Sequence, residues 1–134
     1  MTNLLLDTNA VITLAQAPTG TSFPGVRDDD AAAISIVTEM EVRGGLAANP
    51  ADDERQQTLS FLMGHYVPLT VDARVAFHYH RVATAAAVQG QKPRKRFADL
   101  VIAATALAHG ATLVTDDQGL ARAVSGLLPV RPLT

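Results

Sequence analysis

Asn3-Leu4-Leu5-Leu6-Asp7-Thr8-Asn9-Ala10 is the stretch that decides the fold. Its apolar run does not alternate with polar residues, which marks a short strand buried on both faces. Asp7 stops the run, and Asp7-Thr8-Asn9 supplies the side-chain oxygens that open a helix, here through about residue 15. A fully apolar strand feeding straight into a helix is the first half of a β-α-β unit.

Working outward, residues 18–30 hold Pro, Gly, Thr and three successive aspartates and read as a loop. Residues 32–36 form a second strand, and Thr38 starts a helix that reaches Gly44 or a little beyond. Residues 50–66 form a third helix with Leu59, Leu62 and Met63 on one face, followed by a short strand at 67–69. Asp72 caps a long helix whose stripe is Val75, Tyr79, Val82 and Ala86. A basic loop covers 90–97. The helix over 98–109 is apolar almost all round, so it is buried on two sides, and Gly110 ends it. A strand follows at 111–115 and a last edge strand at 127–130. The order β-α-β-α-α-β-α-α-β-α-β predicts an α/β fold of three layers, α/β/α: a short, mostly parallel central sheet with helices on both faces. One domain spans residues 1–134.

The composition excludes several classes. With 134 residues and 48% of them apolar, the chain can bury a core and need not be disordered. The absence of cysteine removes disulfides, thiolate zinc sites and cysteine nucleophiles, and fits a reducing cytoplasm. No charged leader precedes the first apolar run, and no stretch approaches the ~20 apolar residues of a membrane span. The formal net charge is −2, which argues against nucleic acid, but four carboxylates engaged by cations would leave +2 on the remainder. Lys92-Pro93-Arg94-Lys95-Arg96 then stands out as a positive patch.

Acids stand at equivalent places in the pattern. Asp7 ends strand one, and Glu41 falls in the first turn of the helix after strand two. Asp99 falls in the first turn of the buried helix, and Asp116 and Asp117 end the strand at 111–115. Singly, each has an ordinary explanation: a cap for Asp7, a Thr38-x-x-Glu41 capping box, a dipole complement for Asp99, a turn for Thr115-Asp116-Asp117. Together they would meet at the carboxyl edge of the sheet, where α/β folds bind ligands. Such a cluster repels itself unless a cation or protons neutralise it. An oxygen-only donor set with no Cys and no paired His suits Mg²⁺ or Mn²⁺, and such an ion serves phosphodiester hydrolysis.

Leu4-Leu5-Leu6-Asp7-Thr8-Asn9, Ser35-Ile36-Val37-Thr38-Glu39-Met40-Glu41, Ala98-Asp99-Leu100-Val101-Ile102-Ala103-Ala104 and Leu113-Val114-Thr115-Asp116-Asp117 occur in that order. In this the chain resembles a PIN domain of the VapC toxin type over essentially its whole length. The resemblance implies that Asp7, Glu41 and Asp99 bind Mg²⁺ or Mn²⁺, with Asp117 as the fourth acid and Asp116 as the second candidate. Thr8 and Thr115 would lie beside the metal. It further implies an endoribonuclease acting on structured RNA such as a transfer RNA or ribosomal RNA, a homodimer, and a cognate antitoxin whose tail blocks the groove.

The basic run at 92–96 is either a grip on RNA phosphates through Lys92, Arg94, Lys95 and Arg96 or a solvated loop. Arg43 is either a phosphate contact or a counter-charge to the acids. His65, His78, His80 and His109 are read as structural. A receiver-type phosphoacceptor or an Asp-x-Asp phosphatase would need a second acid near Asp7, where Thr8-Asn9-Ala10 stand instead. The remaining alternative is a non-catalytic RNA- or partner-binding module with the same fold.

Overall fold

The computed structural model describes residues 2–134. Five strands form one sheet in the order β3-β2-β1-β4-β5, all of them parallel: β1 (Asn3–Leu6), β2 (Ala31–Ser35), β3 (Pro68–Leu69), β4 (Thr112–Val114) and β5 (Val130–Arg131). Strand β1 is central, with Leu6 in register with Ile34 on one side and Val114 on the other.

Side chains alternate across a strand, so the three leucines of β1 divide between the two faces. Leu5 joins Leu113 beneath α4 (Ala73–Val88), α5 (Phe97–Ala108) and α6 (Gln118–Val124). Leu4 and Leu6 join Ile34, Val11 and Leu62 beneath α1 (Thr8–Gln16) and α3 (Asp53–His65). All three leucines are fully buried or nearly so, each worth roughly 1.5–3 kcal/mol of apolar burial. The two-faced burial leaves no polar position in β1 after the exposed Asn3 that opens it. Helix α5 is buried from Leu100 to Ala106, as expected of a helix apolar on all sides. It ends at Ala108 with His109 as its cap, and Gly110 just beyond has a φ of 63°, which suits a residue without a Cβ.

Several boundaries differ from the expected ones. Helix α2 spans Ile36–Ala48 and begins two residues before Thr38, because the buried Ser35 hydroxyl caps it by accepting from Val37 N–H at 3.1 Å. Thr38 is therefore no N-cap, and Glu41 lies in the second turn, not the first. Helix α3 starts at Asp53 behind the cap Asp52, which accepts from Arg55 N–H. The basic loop contains a 3-10 turn at Pro93–Arg96. The last strand is confined to Val130–Arg131 because Leu127 and Leu128 N–H are spent on Val124 C=O, closing α6, and Pro129 has no N–H to give.

The chain leaves β1 for β2 and β3 on one side, then returns to β4 and β5 on the other. The reversal falls between β1 and β4, and the crevice at their carboxyl ends is where this architecture binds ligands.

Candidate active site

Asp7 follows β1 directly and is held in the sheet, its N–H donating to Val114 C=O at 3.1 Å. Its Oδ1 caps α1 by accepting from Ala10 N–H at 2.8 Å. The residue is only 4% exposed. Burial pushes its carboxyl above the ordinary carboxylate range. The Thr115 hydroxyl and the Ala10 N–H oppose this, while Asp116 and Asp117 add to it. Among the described residues no lysine or arginine pairs with it.

Asp99 sits in the first turn of α5 and is part-buried. Burial raises its pKa as well; Glu41, Asp117 and Asp7 add to the rise and Arg96 opposes it. Glu41 reaches the crevice from α2. It is freed from any capping role by Ser35, and its Oε1 accepts from the Thr8 hydroxyl at 2.6 Å. Asp117 caps α6 through Oδ1, which accepts from Leu120 N–H at 3.0 Å, and its own N–H donates to Thr115 Oγ1. Arg96 Nη2 donates to its Oδ2 at 2.7 Å. Burial raises Asp117, but the Leu120 N–H and the Arg96 guanidinium outweigh it, leaving this carboxyl below the usual range.

Asp99 thus feels Glu41, Asp117 and Asp7, and Asp7 feels Asp117, across one crevice. Asp116 does not share it in the same way. Its carboxylate is turned to the last residues of the sequence, accepting from Leu133 N–H at 2.8 Å, Thr134 N–H at 3.2 Å and the Thr134 hydroxyl at 3.0 Å.

The other sequence candidates scatter. Thr8 and Thr115 lie among the acids. Arg43 points away, pairing with Glu39 one turn earlier at 2.9 Å. Of the basic run, Lys92, Arg94 and Lys95 are exposed, whereas Arg96 turns inward. His65 bonds the Phe61 carbonyl and His109 ends α5, so neither faces the crevice. Sequence reasoning missed the Arg96 pairing. Its only signal was the three-residue spacing to Asp99, which in a helix places two side chains on one face.

The sequence from residue 4 to residue 125 matches the family model for the PIN domain. The chain belongs to the PIN-domain family. Members of this family are generally nucleases. No curated relative matches the sequence. Among solved structures, the chain resembles VapBC-5, a VapBC-family toxin–antitoxin system from Mycobacterium tuberculosis, at 27% identity and a TM-score of 0.71 over 99% of this chain and 98% of that one. It resembles FitAcB from Neisseria gonorrhoeae at 27% identity and a TM-score of 0.64, over 95% of each chain. VapBC-1 of nontypeable Haemophilus influenzae shares the fold, with a TM-score of 0.74 at 20% identity over 98% of each. The PIN fold and the likeness to VapC-type toxins agree with the expectation drawn from the four motifs.

The donor set of this PIN domain suits a hard divalent cation. Asp7 is a nearly buried carboxylate without a basic partner among the described residues, a costly state unless protons or a cation compensate it. Every nearby donor is oxygen. Among the described residues no three acidic or histidine side chains close in far enough to enclose an ion as they stand. The carboxylates border the crevice, and the Arg96 guanidinium contacts two of them.

Proposed function

We propose that this chain is a Mg²⁺- or Mn²⁺-dependent endoribonuclease, the toxin of a toxin–antitoxin pair, with residues 1–134 acting as one PIN domain. The observation that carries the reading is the convergence of Asp7, Glu41, Asp99 and Asp117 at the β1/β4 crevice, with burial raising Asp7 and Asp99.

Asp7, Glu41 and Asp99 would hold the cation directly or through water, and Asp117 would be the fourth acid. When bound, the ion supplies a water of lowered pKa and neutralises charge on the phosphodiester. The chain's own residues prepare the ground. Thr8 orients Glu41, and the Ala10 N–H and the Thr115 hydroxyl fix the Asp7 carboxyl. Arg96 and the start of α6 hold both oxygens of Asp117. Lys92, Arg94 and Lys95, exposed a few residues before Asp99, would meet RNA phosphates.

The partner reading follows from the VapBC-5 likeness. A groove of about 420 Å³ runs from Thr8 and Glu41 past Ile12 and Val42 to Glu54 and Arg55. A peptide lying in it would cover Glu41 and the Thr8 that orients it, which is how a cognate antitoxin would silence the enzyme. The exposed Phe77, Val88 and Phe97 supply apolar surface for a homodimer.

The deciding experiment is RNA cleavage by partner-free protein, with and without Mg²⁺ or Mn²⁺, comparing wild type with Asp99→Asn. Discrete metal-dependent cuts that vanish in the variant support the reading. Folded protein that binds RNA and never cuts it would make the chain a binding module instead.

A further inference from the structure

We propose that Arg96 sets how tightly the site holds its divalent cation, acting as an attached competitor for the same carboxylates. This rests on the metal-dependent reading above. Arg96 belongs to a run of basic residues, yet it alone of that run is drawn to the acids. Its side chain is 24% exposed, with Nη2 2.7 Å from Asp117 Oδ2 and 3.6 Å from Asp99 Oδ2. Its Nε is buried and has no hydrogen-bond partner, so the group has left water largely for these two acids.

The surroundings keep the guanidinium there. A Cβ on Gly119 would stand 3.3 Å from Asp117 Oδ1 and 3.5 Å from Arg96 Nη1, so the first turn of α6 lies directly against this ion pair and a side chain there would press on the Asp117 carboxylate. Gln91 Nε2 donates to the Gly119 carbonyl at 2.8 Å, tying the basic loop to that turn.

Electrostatics then give the sign. A unit positive charge about 6 Å from a doubly charged ion weakens its binding about tenfold even at the dielectric of water, and more in a part-buried crevice. The guanidinium also occupies a carboxylate oxygen that could otherwise face the ion. Asp117, with one oxygen on Arg96 and the other on the Leu120 N–H, is thereby the acid least available for direct coordination.

The test is a titration of Mn²⁺ into wild type, Arg96→Met, Arg96→Gln and Arg96→Lys, read by calorimetry or by the magnetic resonance signal of free Mn²⁺. Circular dichroism confirms that each variant is folded, and the two uncharged variants guard against the loss of either. The uncharged variants are expected to bind Mn²⁺ about tenfold more tightly, with Arg96→Lys close to wild type because the charge remains. Unchanged affinity in the uncharged variants overturns the proposal. Weaker affinity overturns it too, and makes Arg96 an organiser of the ligands. Absence of Mn²⁺ binding by wild type and all folded variants brings down the metal-dependent reading itself, and this proposal with it.

Discussion

The Thr8 hydroxyl lies 2.6 Å from Glu41 Oε1 and 3.2 Å from Thr38 Oγ1, joining the helix after β1 to the helix after β2. A hydroxyl has one proton to give, and the carboxylate is the stronger acceptor, so Thr38 donates to Thr8 and Thr8 to Glu41. Glu41 is exposed, and this relay from buried Thr38 is what fixes its direction. Thr8→Val keeps the shape of the side chain and breaks the relay. Outer-shell losses of this kind cost about 10- to 100-fold in metal affinity or activity, and Thr8→Val is expected in that range with its helix content intact. Metal titration and cleavage rates on the same preparation check it; full activity would mean that Glu41 needs no orienting partner.

Asp116 and Asp117 are expected to fail in different ways. Asp117 caps α6 and faces Arg96, while Asp116 holds Leu133 and Thr134. Asp116→Ala should cost about 1 kcal/mol of stability or somewhat more, with metal-dependent cleavage retained. Asp117→Asn keeps the cap, since asparagine also caps helices, but removes the charge, and should lower cleavage with a small change in melting temperature. Urea unfolding beside cleavage assays separates the two; the reverse pattern would make Asp116 the fourth acid.

Asp7 and Asp99 have raised carboxyls, so the folded chain holds their protons more tightly than the unfolded chain does. Their ionisation therefore costs stability. The cost is absent below the unfolded carboxylate pKa and complete above the raised folded one. Asp30, Asp72 and Asp117 are lowered and act in the opposite sense. The stability they bring is present above the ordinary carboxylate range and is lost as pH falls through their folded pKa. In chelator, stability should climb through the acid range and then fall again as Asp7 and Asp99 ionise. Asp7→Asn, which can still cap α1, should remove part of the second limb and raise the melting point at neutral pH. Mg²⁺ should stabilise wild type and do so far less for the variant. Denaturant melts across pH 3 to 8 read both effects; a wild type and Asp7→Asn that share one pH profile would deny Asp7 a raised pKa.

The fold was legible because Leu4–Leu6 of β1 and residues 100–106 of α5 are apolar almost all round, a pattern that places them in the interior whatever their neighbours do. The acids were legible as a set because each follows or opens an element at the same edge of the sheet. Their partners were not. Which oxygen Asp117 gives to Arg96, or that Asp116 turns toward Thr134, depends on contacts between residues 17 to 21 positions apart, and no local rule reports those. The start of α2 was misplaced because Ser35 and Thr38 are both good caps, and the choice went to the one that β2 delivers to the sheet edge.

The basic loop divides into one inward residue and three exposed ones, and this division has a measurable consequence. Lys92, Arg94 and Lys95 can release counterions on meeting RNA; Arg96 is already spent on Asp117 and Asp99. Replacing the exposed three with glutamine should weaken RNA binding at low salt and flatten its salt dependence by about 0.7 per lost phosphate contact on single strands. Mn²⁺ affinity should stay near the wild-type value, since these side chains lie outside the crevice. Binding measured in Ca²⁺ over a range of salt, with Mn²⁺ titrated separately, tests both halves. An unchanged salt slope would place the RNA path elsewhere, and an altered Mn²⁺ affinity would show that these three charges reach the acids after all.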